Sequence, residues 1–315
     1  MKKIIFFISL CILNFLVYSQ DIKTPIPAIK SLVNFQNIRD FTLASNGMEA
    51  YVTVQSPLTE VSVLIQLKNV NNKWSAPKLM PFSGQYNDLE PFLSKNDLRL
   101  YFVSNRPLTD STKQSKDYDI WYVKRENITS EWGTPINIGL PINTTNDEFY
   151  PTLAENNNLY FTSNNSDSKG KDDIYCSVWK NNQYSEPISL SDSINTSGYE
   201  FNSYIAINES FIMFSAYNRK DGLGSGDLYI SFRGENNEWS KAMNMGKNIN
   251  SKHMDYCPYY DPNTMTLYFT SKRSSIEKQN NFQSITDVIN EINKVENGLS
   301  KIYKVRLDTT LFHNK

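Results

Sequence analysis

Four carboxylates recur at one place in this 315-residue chain: Asp88, Glu148, Glu200 and Asp255. Glu148, Glu200 and Asp255 each lie five residues after an asparagine (Asn143, Asn195, Asn250). All four lie 12 or 13 residues before Tyr101, Tyr160, Met213 or Tyr268. Glu90 stands beside Asp88, and in the first stretch the place falls to Arg39, next to Asp40. Four carboxylates and one guanidinium converging on one point would hold a cation, a water cluster or a sugar. Two of the acids at a sugar-sized separation would also suit glycoside hydrolysis. A catalytic pair needs unlike surroundings so that its proton affinities diverge, whereas acids that obey a repeat rule share theirs. The plainer reading is that each acid accepts hydrogen bonds from backbone amides of a neighbouring unit.

The elements that carry these acids are themselves repeated. An acidic stretch, an L-Y-F strand, a D-I-Y strand and a W-x-x-P strand follow one another, and each round closes on I-N. The strand-two aromatic position falls at Tyr51, Tyr101, Tyr160, Met213 and Tyr268, at spacings of 50, 59, 53 and 55. Short strands repeated at this period predict a β-propeller. Each unit reads as four strands, with turns such as Asn46-Gly47, Asn156-Asn157 and Asp261-Pro262-Asn263 between strands one and two. Counting units gives five blades, at about 38–85, 86–143, 144–195, 196–250 and 251–312. The last unit lacks a W-x-x-P strand. Residues from about 24–34, which resemble the Pro135–Asn143 stretch, supply its outer strand and close the ring. The acids precede the innermost strand, so the spacing predicts that they ring one mouth of the central channel.

The start of the chain reads as a targeting segment. Lys2 and Lys3 precede an apolar run from Ile4 to Val17, and small Ser19 precedes Gln20. The run is too short to cross a bilayer as a helix, so residues 1–19 read as a secretory signal peptide cut after Ser19. Cys11 lies within the run behind bulky Leu10, which does not suit lipidation. The propeller then occupies 20–315, in the periplasm, at the outer membrane or outside the cell. A net charge of −1 gives no electrostatic pull toward nucleic acid. The 19 Tyr and 17 Phe fit a strand-rich chain. Cys176 and Cys257 fall in different repeats and at different strand positions, which favours two buried free thiols over a disulfide. His253 and His313 are the only histidines, no Cys/His spacing suits a metal, and no cofactor is expected.

Several motifs read as structural. Asp119, Asp173 and Asp227 open strand three and suit turn-capping. Arg106 and Arg273 follow strand two, free to pair with acids, while Trp74, Trp132 and Trp239 suit packing between blades better than sugar stacking. The glycine-rich loop Lys220–Asp227 lacks the Lys-Ser/Thr and helix of a phosphate loop. In the last unit, Ile285, Val288, Ile289, Ile292 and Val295 follow helical spacing behind Ser284 and Asp287, with Gly298 beyond. This predicts a short amphipathic helix packed on the side of the blade, with a lid or docking element as the sharper alternative.

The stretch from Pro91 to Arg106, P-F-L-S-K-N-D-L-R-L-Y-F-V-S-N-R, followed by Asp119-Ile120-Trp121, resembles the WD40-like PD40 repeat of TolB-type exported bacterial propellers. The resemblance spans roughly 38–307. Its first copy departs, since Ala50-Tyr51-Val52 lacks the Phe and no D-I-Y follows. The resemblance implies a β-propeller, and with no nucleophile–base constellation, no metal motif and few histidines the chain reads as a binding or scaffold module of the cell envelope. An envelope protein, peptide or glycan would be its partner, and no membrane span would remain after signal cleavage. Propellers host unrelated activities, so a carbohydrate-binding or glycoside-hydrolysing role through channel carboxylates stands as the alternative. The residues that would line the site are Arg39, Asp88, Glu90, Glu148, Glu200 and Asp255.

Overall fold

The computed structural model describes residues 24–109, 114–277 and 281–312. The predicted signal peptide and its cleavage site lie outside the described residues. Five antiparallel sheets follow one another, as the repeat predicts. The innermost strands are Ile38–Leu43, Asp88–Leu93, Glu148–Leu153, Glu200–Ile205 and Asp255–Asp261. Each pairs outward with a second strand (Glu49–Gln55, Arg99–Ser104, Leu159–Ser163, Phe211–Tyr217, Thr266–Ser271). Third strands follow at Ser62–Val70, Asp119–Lys124, Asp173–Ser177, Gly226–Phe232 and Lys301–Arg306. The outermost strands are two residues long. They leave little unpaired edge for another strand to add to.

The ring closes as the sequence predicts. Ile26 and Pro27 pair with Lys304 and Tyr303 as the outer strand of the fifth blade. Ala28 N–H extends the ladder to the Ile302 carbonyl at 2.9 Å. Ala28, Ile29 and Leu32 are buried against the first and last blades. In blades two, three and four the closing asparagine does a related job. The side chains of Asn143, Asn195 and Asn250 each bond both the N–H and the carbonyl of one strand-three residue: Ile120, Ile174 and Leu228 respectively. A side-chain amide there replaces the peptide of a longer fourth strand.

The core lies between blades. Strand-two and strand-three aromatics stand opposite each other in register: Phe102 with Trp121, Phe161 with Tyr175, Phe214 with Tyr229 and Phe269 with Tyr303. The last three pairs have centroids 5.9, 6.0 and 6.1 Å apart. All four Phe rings are fully buried. The rings of those three pairs lie 26, 25 and 33° from parallel, an offset stacking that adds to area burial. Cys176 and Cys257 are both free; Cys257 is buried and Cys176 half-buried.

One expectation fails. The predicted helix forms over Ile285–Ile292, and Ser284 Oγ accepts the Asp287 N–H at 3.2 Å as its cap. Its apolar side does not pack on the blade, because Ile285, Ile289 and Ile292 are 72, 47 and 53% exposed. The base of the loop is tied by the Ser274–Asn297 bridge and the Ser275–Glu296 backbone bond.

Ring closure predicts a measurable cost of truncation. A chain starting at Asn34 instead of Gln20 should lose about 4 kcal/mol of stability in urea unfolding, from uncovering Ile29, Leu32 and their neighbours. An unchanged midpoint would show that the N-terminal segment is dispensable to the ring.

Candidate functional site

Each innermost strand carries a β-bulge, and the five bulges build the site. Register shifts fall between Arg39 and Thr42, Leu89 and Phe92, Phe149 and Thr152, Phe201 and Tyr204, and Tyr256 and Tyr259. At each bulge the third residue of the strand adopts positive φ: Asp40 57°, Glu90 57°, Tyr150 50°, Asn202 50° and Cys257 54°. Residues other than glycine seldom adopt this conformation, and at bulges it re-aims a side chain. Here Asp40, Glu90, Asn202 and Cys257 turn toward the axis, where side chains from blades one, two, four and five meet.

Arg39 organises the meeting point. Its Nε donates to Asp40 Oδ1 at 2.9 Å, and Nη2 donates to Glu90 Oε1 at 2.6 Å and Cys257 Sγ at 3.4 Å. Its guanidinium lies 5.2 Å from the centre of the Tyr256 ring. Glu90 Oε1 also accepts Asn202 Nδ2 at 3.2 Å, and Oε2 accepts the Tyr150 N–H at 2.7 Å. Asp40 Oδ2 accepts Thr53 Oγ1 at 2.7 Å and the Glu90 N–H at 3.1 Å. All four carboxylate oxygens are therefore held by protein donors. Burial pushes the Glu90 carboxyl up to about 7 against the opposing charge of Arg39, with Asp40 adding a smaller push. Burial likewise raises the Cys257 thiol well above its ordinary value, so it is no thiolate nucleophile.

Beneath this polar knot the axis is packed. Phe41, Phe92, Tyr204 and Tyr259 from four blades leave a void of about 10 Å³. Tyr259 meets Phe41 and Tyr204 edge to face at 5.7 and 5.5 Å. Below the aromatic layer the axis opens into a funnel of about 340 Å³, lined by Leu43, Leu93, Leu153, Ile205 and Tyr260 among others.

The repeated acids occupy a different place. Asp88, Glu148, Glu200 and Asp255 open the innermost strands and are fully buried. Ile38 shares their register position; Arg39 lies one residue further on, in line with Leu89, Phe149, Phe201 and Tyr256. No hydrogen bond or ion pair joins two of the four among the described residues. Three of them seat an arginine of their own blade: Arg106 on Asp88 at 2.5 Å, Arg219 on Glu200 at 2.9 Å and Arg273 on Asp255 at 3.0 Å. Each of these guanidinium groups also donates to a carbonyl of the preceding closing loop, at Phe82, Ile194 and Ile249. Each lies over a cross-strand ring pair, with Phe102 and Trp121, Phe214 and Tyr229, or Phe269 and Tyr303. This clamp joins one blade to the next.

Glu148 lacks the clamp. Asn165 stands where the other blades place arginine, and Glu148 is held instead by Thr144, through N–H at 3.1 Å and Oγ1 at 2.7 Å. Burial raises its carboxyl to about 7, opposed by those bonds. Of the six predicted site residues, only Arg39 and Glu90 meet at the axis. Asp40, Asn202 and Cys257, which complete the knot, were not predicted. A signal was present: Pro91, Pro151 and Pro258 each follow a bulge residue, and proline inside a strand marks a break in the ladder.

The fold is shared with several solved propellers. A glycoside hydrolase structure matches with TM-score 0.53 and 7% identity, over 90% of this chain and 89% of that one. The α-L-arabinofuranosidase PaAbf62A from Podospora anserina, solved with cellotriose, matches with TM-score 0.51 and 10% identity, over 90% and 97%. The putative TolB from Agrobacterium tumefaciens matches with TM-score 0.48 and 12% identity, over 75% and 70%. At such identities the likeness extends to the propeller fold alone. No family model matches the chain, and no curated protein matches it.

Glu148 gives the fold a pH signature. The folded chain holds its proton up to about 7, while the unfolded chain releases it near the ordinary 4.5. The folded state thus binds more protons between these values, and the stability Glu148 contributes is full below 4.5 and lost as pH rises through about 7. Glu148→Gln should flatten the decline of the urea midpoint between about pH 5 and about pH 7.5. An identical slope in both proteins would mean that Glu148 is already ionised in the fold.

Proposed function

We propose that this chain is an exported, non-catalytic propeller of PD40-type repeats that binds a protein, peptide or glycan of the bacterial cell envelope. The closed axis carries the reading. The carboxylates that meet there, Asp40 and Glu90, have every oxygen engaged by Arg39, Asn202, Thr53 and backbone N–H groups. The void beneath them, about 10 Å³, is far too small for a sugar ring. A general acid must reach the leaving oxygen within hydrogen-bond distance, and nothing the size of a substrate fits there. The open concavities are the funnel beyond the sealed layer and the cleft between the second and third blades, where loops meet the ligand.

A glycoside hydrolase is the second reading. One observation favours it: two axial carboxylates share Arg39, and burial raises one of them toward neutrality, the divergence that acid–base pairs exploit. Glycoside turnover separates the two. Chromogenic glycosides and envelope polysaccharides incubated with the chain should release no more product than with a folded Glu90→Gln variant. Release that falls by about a hundredfold or more in Glu90→Gln would establish the hydrolase and end the binding-only reading.

A further inference from the structure

We propose that the cleft between the second and third blades binds an acidic oligosaccharide through Arg99 and the rings of Tyr122, Tyr184 and Trp179. This deepens the binding reading above and rests on it.

A comparison of the blade junctions within the molecule isolates the cleft. The residue that follows strand three by a fixed step, six beyond Asp119, Asp173, Asp227 and Lys301, is Arg125, Trp179, Arg233 or Leu307. Between blades one and two, Arg125 is a buried wedge. It donates to Glu49 Oε2 at 2.8 Å and the Asp97 carbonyl at 2.7 Å, and lies 4.5 Å over Trp132. Trp132 in turn donates to the Tyr51 hydroxyl at 3.3 Å. Between blades three and four, Arg233 lies 5.1 Å over Trp239 and pairs with Glu209 at 3.2 Å. Between blades four and five, Leu307 is buried in the same cluster as Phe211, Phe232 and Tyr260, with Phe312 packed against it. Between blades two and three the wedge is missing. Trp179 turns out to begin a hairpin with Tyr184, its ring 4.7 Å from the tyrosine's, and a cleft of about 890 Å³ remains.

The chemistry of the cleft differs from that of its filled counterpart in sign. Strand two opens with Glu49 in the first blade and with Arg99 in the second. The carboxylate that receives Arg125 at one junction is thus a guanidinium at the next. Arg99 touches the Tyr101 hydroxyl at 3.5 Å and lies 5.6 Å from the Tyr122 ring centre. Among the described residues no carboxylate pairs with it. With Nη1 turned to Tyr101, the Nε and Nη2 side of the guanidinium can take a carboxylate in two parallel hydrogen bonds. The neighbouring aromatic faces offer flat apolar surface, and Gln183, Asn157 and Asn182 stand on the rim as neutral donors and acceptors. Flat rings edged by amides fit the two sides of a pyranose, and Arg99 fits a carboxyl substituent on it. The cleft shares Ser94, Lys95 and Leu153 with the axial funnel. The two concavities therefore run together, which gives room for a chain of sugars rather than a single residue.

Calorimetric titration of the mature protein tests this with three probes: hexagalacturonate, hexamannuronate and hexagalacturonate with its carboxyl groups reduced. Hexaglutamate serves as the peptide comparison. The expected result is binding of at least one uronate oligomer, weakened about tenfold or more by Arg99→Ala and by Tyr184→Ala, and by reduction of the carboxyl groups. Circular dichroism melting confirms that both variants are folded. Binding of neither uronate oligomer, binding unchanged in Arg99→Ala, or equal binding of hexaglutamate would overturn the proposal. Cleavage of the bound oligomer that disappears in Glu90→Gln would instead remove the binding-only reading and leave the cleft assignment standing.

Discussion

The structure depends on one guanidinium at its centre. Arg39 draws Asp40, Glu90 and Cys257 onto the axis, with Asn202 bound to the same Glu90 oxygen. Its side chain is 15% exposed and that of Glu90 is 3% exposed. Charges so placed must pair, because taking either out of water alone costs several kcal/mol. The pairing reaches beyond two blades. Glu90 also holds the Tyr150 N–H of the third blade, and Tyr150 Oη donates to the Pro258 carbonyl of the fifth at 3.1 Å. Four side chains and five bulges thus close around one charge, and the aromatic layer beneath it seals the channel. A closed axis moves recognition outward to the blade junctions and loops.

The second recurring device is the arginine clamp between blades. Asp88, Glu200 and Asp255 fix Arg106, Arg219 and Arg273 over their ring pairs. Each guanidinium then reaches the preceding blade's closing loop. The seam at the third blade does without it, leaving Glu148 to Thr144. The wedge missing at Trp179 belongs to that same blade. The third blade carries neither repeated arginine, and the large cleft opens at its seam with the second.

Much of the architecture was legible in the sequence because propeller blades repeat their chemistry. The strand-two aromatics, the closing asparagines and the outer strand supplied by the N-terminal residues could be read from spacing alone. Arg106 and Arg273 could be read as partners for acids, whereas Arg219 could not, since its stretch reads Ala216-Tyr217-Asn218 rather than Ser-Asn-Arg. The site was less legible. Counting from the acids placed Arg39 in their row, but the ladder puts Ile38 there. The bulge two residues later then turns Asp40 and Glu90 inward, away from the seams. Backbone irregularity of this kind leaves only the following proline as a trace. The cleft was illegible for another reason. It arises from an absence, a wedge that one blade lacks, and becomes visible only when each blade is compared with its neighbours.

A double-mutant cycle between Arg39→Met and Glu90→Gln, read by urea unfolding, tests the central role of the axial charge most directly. If the knot is a single coupled unit, the two changes together cost less than their sum by about 1.5 kcal/mol or more. Costs that add to within about 0.3 kcal/mol would show that Arg39 and Glu90 act independently, and that something other than their pairing holds the axis closed.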